Sequence, residues 1–266
     1  MPNFRRAIAR RLLPKPIRFQ VLVLCLATSP ALANGAGQGM AQGDRHYASG
    51  HLAQARAAYV GALQSAPGSY RALSRLSRSE SELGELQKGD EQRRTWSAAV
   101  EHARAAVKAA PDSAGGHIGL AVALGCQARC EGAKTRLALS REIRSETDQA
   151  LQLDPSIGRA WHVLAIWNVK LANLNAMERM AAKAVPGGVP KGASLEQAER
   201  AFQKAIQLEP EEVDHRLEYG RLLRALKRPS DARRELEMAA SLPPIRSALD
   251  ARYQSEAKEL LAKLPR

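Results

Sequence analysis

One spacing constrains this chain more than any other feature: an alanine, a large apolar residue four positions on, a second alanine three beyond it, and a proline five later. Ala198, Phe202, Ala205 and Pro210 show it, and Ala55, Tyr59, Ala62 and Pro67 repeat it in full. Ala99, Ala103, Ala106 and Pro111 keep it with a smaller middle residue, and Ala232, Leu236, Ala239 and Pro244 with an aliphatic one. A weaker copy retains only Ala150 and Pro155. Steps of four and three fall on one helix face, so small residues there let a second helix approach closely. The proline, lacking an amide hydrogen, then stops the helix. A recurrent pattern of this kind predicts stacked helical hairpins, an all-α superhelix. The composition agrees, since 45% hydrophobic with only 4% aromatic residues suits a core of alanine and leucine between helices.

The prolines place five units, at about 36–66, 69–110, 113–153, 157–209 and 212–242. Unit one carries Gly43 at its helix contact and Gly50 at its turn, and unit two has a polar link at 87–90. Unit four is long and contains Val185-Pro186-Gly187-Gly188-Val189-Pro190-Lys191-Gly192, a composition that cannot be helical. A last helix over about 246–263 has no partner and reads as a cap. Ser194 with Gln197 is expected to form a capping box, and Asp112, Ser113 and Ser156 to cap helices in the same way. Alternation with period two is absent, so no sheet is expected.

The first 33 residues read as a cleavable signal peptide, leaving a repeat domain at 34–266. Arg5, Arg6, Arg10, Arg11, Lys15 and Arg18 form a basic stretch free of acids. An apolar run follows from Phe19, and Ala31-Leu32-Ala33 supplies a small-x-small cleavage signal. The run is shorter than the ~20 apolar residues of a spanning helix. The expected location is periplasmic or secreted, with no transmembrane segment in the mature chain. Arg10-Arg11-Leu12-Leu13 leaves a twin-arginine route as a minor alternative. Taking the six cations of the leader from the net charge of +13 leaves +7, a moderately basic protein suited to anionic partners in general. Nucleic acid is not expected, because an exported protein seldom meets it.

Trp161-x2-Leu164-Ala165 and Tyr219-Gly220 resemble the first-helix signature of tetratricopeptide repeats, and the last proline spacing of 34 is that repeat's unit length. Lys134, Ser140-Arg141-Glu142-Ile143, Leu153-Asp154-Pro155, Trp161-His162-x-Leu164, Trp167 and the run from Pro190 to Ala205 narrow the likeness. Together they resemble the regulator of microtubule dynamics family over about residues 113–262. The resemblance implies an all-helical superhelix of about five hairpins plus a capping helix, with no catalytic centre. Eukaryotic relatives are adaptors at organelle contacts, and one holds phospholipid in its repeat domain. The cleavable signal departs from the eukaryotic pattern, so microtubule biology is not carried over.

In arrays of this family the first helix of each hairpin lines a concave groove. The groove positions implied by that resemblance are Arg71, Arg75 and Arg78 in unit two, Arg159, His162 and Lys170 in unit four, and Arg221 and Arg224 in unit five, partly offset by Asp214 and Glu218. Arg71, Arg75 and Arg78 share one helix face, where guanidinium forks suit carboxylates or phosphates; a solvated basic face is the plainer reading. Ile118, Val122, Val163, Ile166 and Val169 fall on concave steps and are apolar. Trp161 is expected in the core, Trp167 packed against the unit-four insertion or lining a pocket under it, and Trp96 packed in a second helix.

Catalytic signals are weak. Cys126 and Cys130 leave three states open: a disulfide, two free thiols, or metal ligation with His117, for which a fourth ligand is not evident. The histidines form no metal-binding pair with a glutamate between them, residues 187–192 resemble a phosphate loop only in composition, and no serine or cysteine sits in a nucleophile elbow. The expected function is therefore a non-enzymatic exported scaffold, without cofactor or metal, holding a protein or peptide partner, acidic by preference, in a basic groove. Binding of phospholipid or a small amphiphile is the alternative.

Overall fold

A computed structural model describes residues 30–183 and 188–265, which form twelve α-helices and no strand. Most of the expected signal peptide, and residues 184–187 of the unit-four insertion, lie outside the described residues. The helices are α1 (Pro30–Ala48), α2 (Leu52–Ser65), α3 (Tyr70–Glu85), α4 (Gly89–Ala109), α5 (Ala114–Ala128), α6 (Ala133–Leu153), α7 (Gly158–Ala172), α8 (Ala176–Lys183), α9 (Leu195–Leu208), α10 (Val213–Ala225), α11 (Pro229–Ser241) and α12 (Asp250–Ala262).

The strongest pairings are α1 with α2, α3 with α4, α5 with α6, α7 with α9, and α10 with α11, which are the five expected hairpins. The repeated spacing does what its chemistry demands. Ala55, Tyr59 and Ala62, Ala198, Phe202 and Ala205, and Ala232, Leu236 and Ala239 are all buried, none above 1% exposure. Glycines of the preceding helix make room at three such hairpin contacts: a side chain at Gly43 would sit inside the Tyr59 ring, one at Gly84 inside the Trp96 indole, and one at Gly220 against Leu236. Gly50 turns unit one with φ +75, a conformation that only glycine adopts without strain.

The long units have two causes. In units two and three the second helices, α4 and α6, run 21 residues against 14 for α2, adding about two turns. In unit four the extra length is the short helix α8, which packs on α6, together with the 188–193 loop.

Capping follows the sequence in part. Ser113 Oγ accepts from Gly116 N and Ser194 Oγ from Gln197 N, as expected, and Ser69 adds a cap on α3. Ser156 does not cap α7. Asp154 Oδ1 instead accepts both its amide and its hydroxyl, leaving Ile157 at the helix start. The Ser194 amide donates to Asn168 Oδ1 on α7 and not back to Gln197.

Helices α3, α5, α7 and α10 touch in succession, while no comparable contact joins successive second helices. First helices therefore form the inner, concave layer. Helix α12 packs on α10 and α11 and takes the place of the next first helix. No described helix is long and apolar enough to cross a membrane.

Candidate functional site

The expected arginines of α3 do share a face, but they are not bare. Asp44 on α1 receives Arg71 Nη2 at 3.2 Å, Arg75 Nε at 3.5 Å and the Tyr59 hydroxyl at 2.8 Å. Arg78 donates from Nε to Glu82 Oε1 at 3.2 Å and lies 4.7 Å above the Tyr47 ring. The Tyr47 hydroxyl donates to the same Glu82 oxygen. Burial, then the Glu82 charge, raises the Tyr47 pKa, so the phenol keeps its proton.

Arg159 and His162 sit one turn apart on α7 and meet the start of α10. Arg159 is held by Asp214 and by Glu212 at 3.1 Å. His215, fully buried, bonds Asp214 through Nδ1 at 3.0 Å and Glu209 through Nε2 at 3.1 Å. Burial works against its charge, but these two carboxylates hold its pKa above the usual histidine value. Asp214 is held well below the carboxylate range: burial opposes this, and Arg159 and the His215 hydrogen bond and charge overcome it. His162 stacks on His215 with centroids 4.7 Å apart and meets the Phe202 edge. Burial pushes its pKa down to about 3, so it is neutral, and its Nδ1 has no hydrogen-bond partner.

His162, Asp214 and His215 offer donor atoms within 4.8 Å of one another, the spacing of a metal site. Their geometry does not fit one. The two rings stack at 24°, so their in-plane lone pairs run side by side and do not converge. Both His215 nitrogens already serve carboxylates, and Arg159 occupies Asp214. The cluster acts as a polar joint between units four and five.

Of the remaining candidates, Arg221 bridges Glu218 and Glu256 of α12, while Lys170 and Arg224 are exposed with no ion pair among the described residues. The expected basic groove is thus largely neutralised from within. The reason is that equivalent positions of neighbouring first helices face each other, and this sequence puts acids opposite its arginines. The acids also act on each other: burial, then Asp214 and other charges, raises the pKa values of Glu218, Asp250 and Tyr253.

Helix α5 supplies the floor. Gly115, Gly119, Val122 and Cys126 recur on its one partly open face, and a side chain added at Gly119 or Gly125 would meet nothing within 4 Å. Cys126 and Cys130 straddle the end of α5, as the glycine before them suggests, and are not bonded to each other. Burial pushes the Cys126 thiol up to about 12, which keeps it protonated. His117 is at the far end of α5, its nitrogens engaged by Glu146 and the Pro111 carbonyl, and does not join the cysteines.

Of the tryptophans, only Trp161 departs from expectation, for Trp167 shares its core cluster with Val189 and Ala193 of the insertion. Trp161 is only half-buried and donates to the Pro155 carbonyl, whereas Trp167 is a core residue bonded to the Ser140 carbonyl under Arg144. Trp96 packs as expected and donates to the Ser81 carbonyl.

The segment 242–249 joins α11 to α12 and crosses to the other side of the groove. Arg78 Nη2 donates to the Arg246 carbonyl at 2.6 Å, and Arg252 Nη1 to the Glu85 carbonyl at 2.8 Å. These contacts link residues 168 and 167 positions apart, so the array closes on itself.

The family model for regulator of microtubule dynamics protein 1-3 matches residues 40–265. This chain belongs to that family. Among curated members of the regulator family, the rat protein 3 is 30% identical over 190 residues, 71% of this chain and 40% of its own length. The Caenorhabditis elegans protein 1 is 32% identical over 121 residues, 46% of this chain and 53% of its own. The chain therefore spans about half the length of these relatives or less. A thermophilic tetratricopeptide repeat protein of Thermus thermophilus shares the fold with a TM-score of 0.62 at 20% identity, covering 83% of this chain and 98% of that one. PilF of Pseudomonas aeruginosa follows at a TM-score of 0.51 and 16% identity, over 88% and 93%.

Sequence reasoning on this regulator-family chain missed Tyr47, Glu82, Glu209, His215, Asp250 and Tyr253. Glu82 had a readable signal, lying four residues after Arg78 on the same helix face. Of the others, Tyr47 meets Glu82 only once units one and two pack, Glu209 and His215 meet across the α9–α10 turn, and Asp250 accepts from the Arg246 and Ser247 amides, contacts that helix-face spacing does not signal.

Proposed function

We propose that this regulator-family array is a non-enzymatic, exported scaffold that holds a protein or peptide partner along its concave face. The observation that carries this reading is the α5 floor. A glycine inside a helix costs about 1 kcal/mol relative to alanine. No atom of the described chain comes near enough to require glycine at 119 or 125, so the omitted side chains leave room on the inner surface. Room for main chain, lined by paired charges and a few aliphatic groups, suits an extended peptide. A preference for acidic partners would rest on Lys170 and Arg224, the groove candidates without ion pairs among the described residues.

Phospholipid is the second reading, favoured by the partly buried Val122, Val163 and Ile166 on the same inner layer. Arg78, Glu82, Arg159, Asp214 and Tyr253 around them suit an acyl chain poorly. The test is to recover the exported protein from its host's envelope, wild type and Gly119→Leu, and to analyse bound peptides and lipids by mass spectrometry. A protein partner carried by the wild type and lost from Gly119→Leu is expected. A stoichiometric phospholipid with the same loss would replace the scaffold by a lipid binder, and identical partners on both proteins would remove the groove from the function.

A further inference from the structure

Helix α8 is an addition to the hairpin plan, and its orientation on α6 is fixed by several contacts. Asn175 Oδ1 accepts from the Glu178 amide at 2.9 Å, and Glu178 Oε2 accepts from the Asn175 amide at 3.0 Å. This reciprocal cap sets where the helix starts. Arg136 on α6 holds the other Glu178 oxygen at 3.3 Å. Ala182, 2% exposed, sits in the apolar core with Trp167 and Leu171. Glu178 and Ala182 are four positions apart, so they define the inward side of α8.

The opposite side is turned out. Ala176, Met177, Met180 and Lys183 share it, and all are exposed. Met177 at 80% and Met180 at 69% are the two most exposed large apolar side chains among the described residues. A helix packed on a core ordinarily buries its apolar side and shows its charged one. In α8 the glutamate faces the protein and the methionines face away.

The surroundings decide what suits this face. Arg179 and Lys183 flank the methionines on α8 itself, and Lys191 of the 188–193 loop lines one depression together with Arg179. All three cations are exposed and make no ion pair among the described residues. Arg179 donates to the Leu174 and Ala172 carbonyls, which fixes its guanidinium at the helix edge. The acids alongside are Glu178, matched by Arg136, and Glu196 on the same depression, so the patch is net positive. Neither methionine lines that depression. The apolar face therefore protrudes, whereas a partner helix would need a groove. A protruding apolar face bordered by cations is what an interfacial helix presents to anionic lipid.

We propose that α8 is a contact helix for an anionic lipid bilayer, with Met177 and Met180 entering the interface and Arg179, Lys183 and Lys191 meeting the headgroup phosphates. Methionine's unbranched, flexible side chain fits an irregular acyl boundary. Two apolar side chains and a few cations give shallow, reversible binding. The contact does not depend on what the groove holds; it adds to the scaffold which side of the molecule faces a membrane.

The test is flotation of the protein, purified from its host's envelope, with vesicles of phosphatidylglycerol and phosphatidylcholine, against phosphatidylcholine alone. Binding only to the anionic vesicles is expected, weakening as salt rises. Met177→Ser combined with Met180→Ser should weaken it at least about fivefold through lost apolar contact. The melting temperature should be retained, because both side chains are exposed in the free protein. Met177→Leu combined with Met180→Leu should keep the binding, and Lys183→Glu should weaken it at least about fivefold. Met238→Ser, at an exposed methionine on α11, should change nothing. Gly119→Leu should float as the wild type does, which separates this contact from a peptide or lipid held in the groove. No binding to anionic vesicles, equal binding to neutral ones, or equal flotation by the serine double variant overturns the proposal. If that variant floats as before but loses self-association or a protein partner, the face docks protein and the bilayer contact is likewise overturned.

Discussion

At the scale of single residues, glycines of similar helical setting have opposite roles. Gly84 is required by close approach, because the Trp96 indole fills the place of a side chain. Gly84→Ala should therefore destabilise the protein by about 1–3 kcal/mol through overpacking. Gly119→Ala should be neutral or stabilise by up to ~1 kcal/mol, since nothing opposes it. Paired urea titrations check both, and equal costs would mean that Gly119 is packed. Phe202, fully buried in the core of units four and five, should cost roughly 3–5 kcal/mol when replaced by alanine. A loss below about 1 kcal/mol would contradict that burial.

At the scale of elements, the α7–α10 joint links stability to pH in two separate windows. His162 has its pKa lowered to about 3 by burial, so below about 6.5 the unfolded chain takes up a proton that the fold refuses. Stability should fall as pH drops from 6.5 to 5, before most carboxylates titrate. His215 has its pKa raised by its carboxylates against the cost of burial. Its contribution is complete below about 6.5 and is lost as pH rises through its folded value. His102, raised by its bond to Glu80, adds in the same direction. Melting temperature against pH should therefore peak near 6.5. His162→Phe should flatten the acid limb between 6.5 and 5 and leave the alkaline limb in place; an unchanged acid limb would show that His162 is protonated in the fold.

At the scale of the whole molecule, a repeat array is held by nearest-neighbour contacts, and stability is shared along it. The 242–252 closure adds hydrogen bonds between unit two and the segment leading into the capping helix α12. Hydrogen exchange should show the amides of 246–248 opening well before the helices on either side. Arg252→Ala should speed that exchange while shifting the melting temperature by no more than a few degrees. Protection of these amides equal to that of α11 would mean the closure is part of the global fold.

Particular residues show how much was legible beforehand. The hairpins, their turns and the packing of Tyr59, Phe202 and Leu236 follow from local spacing, because a helix presents the same face to its neighbour wherever the pattern recurs. Trp161 is less covered than its place in the pattern suggests, since both Trp161 and Trp167 are large and apolar and only the position of the neighbouring helices decides which is covered. The concave placement of Arg71, Arg75 and Arg78 was likewise readable as a shared helix face. The Arg78–Glu82 pair was readable too, but the neutralisation of Arg71 and Arg75 was not, because Asp44 gains meaning only when α1 is folded against α3. The amino-acid order alone thus determined that this chain is a helical-hairpin array and where its hairpins begin and end. The tertiary structure alone decided that acids of neighbouring first helices cancel the groove's arginines, and that residues 246–248 close across it, because those contacts join side chains up to 168 positions apart through the curvature of the stack.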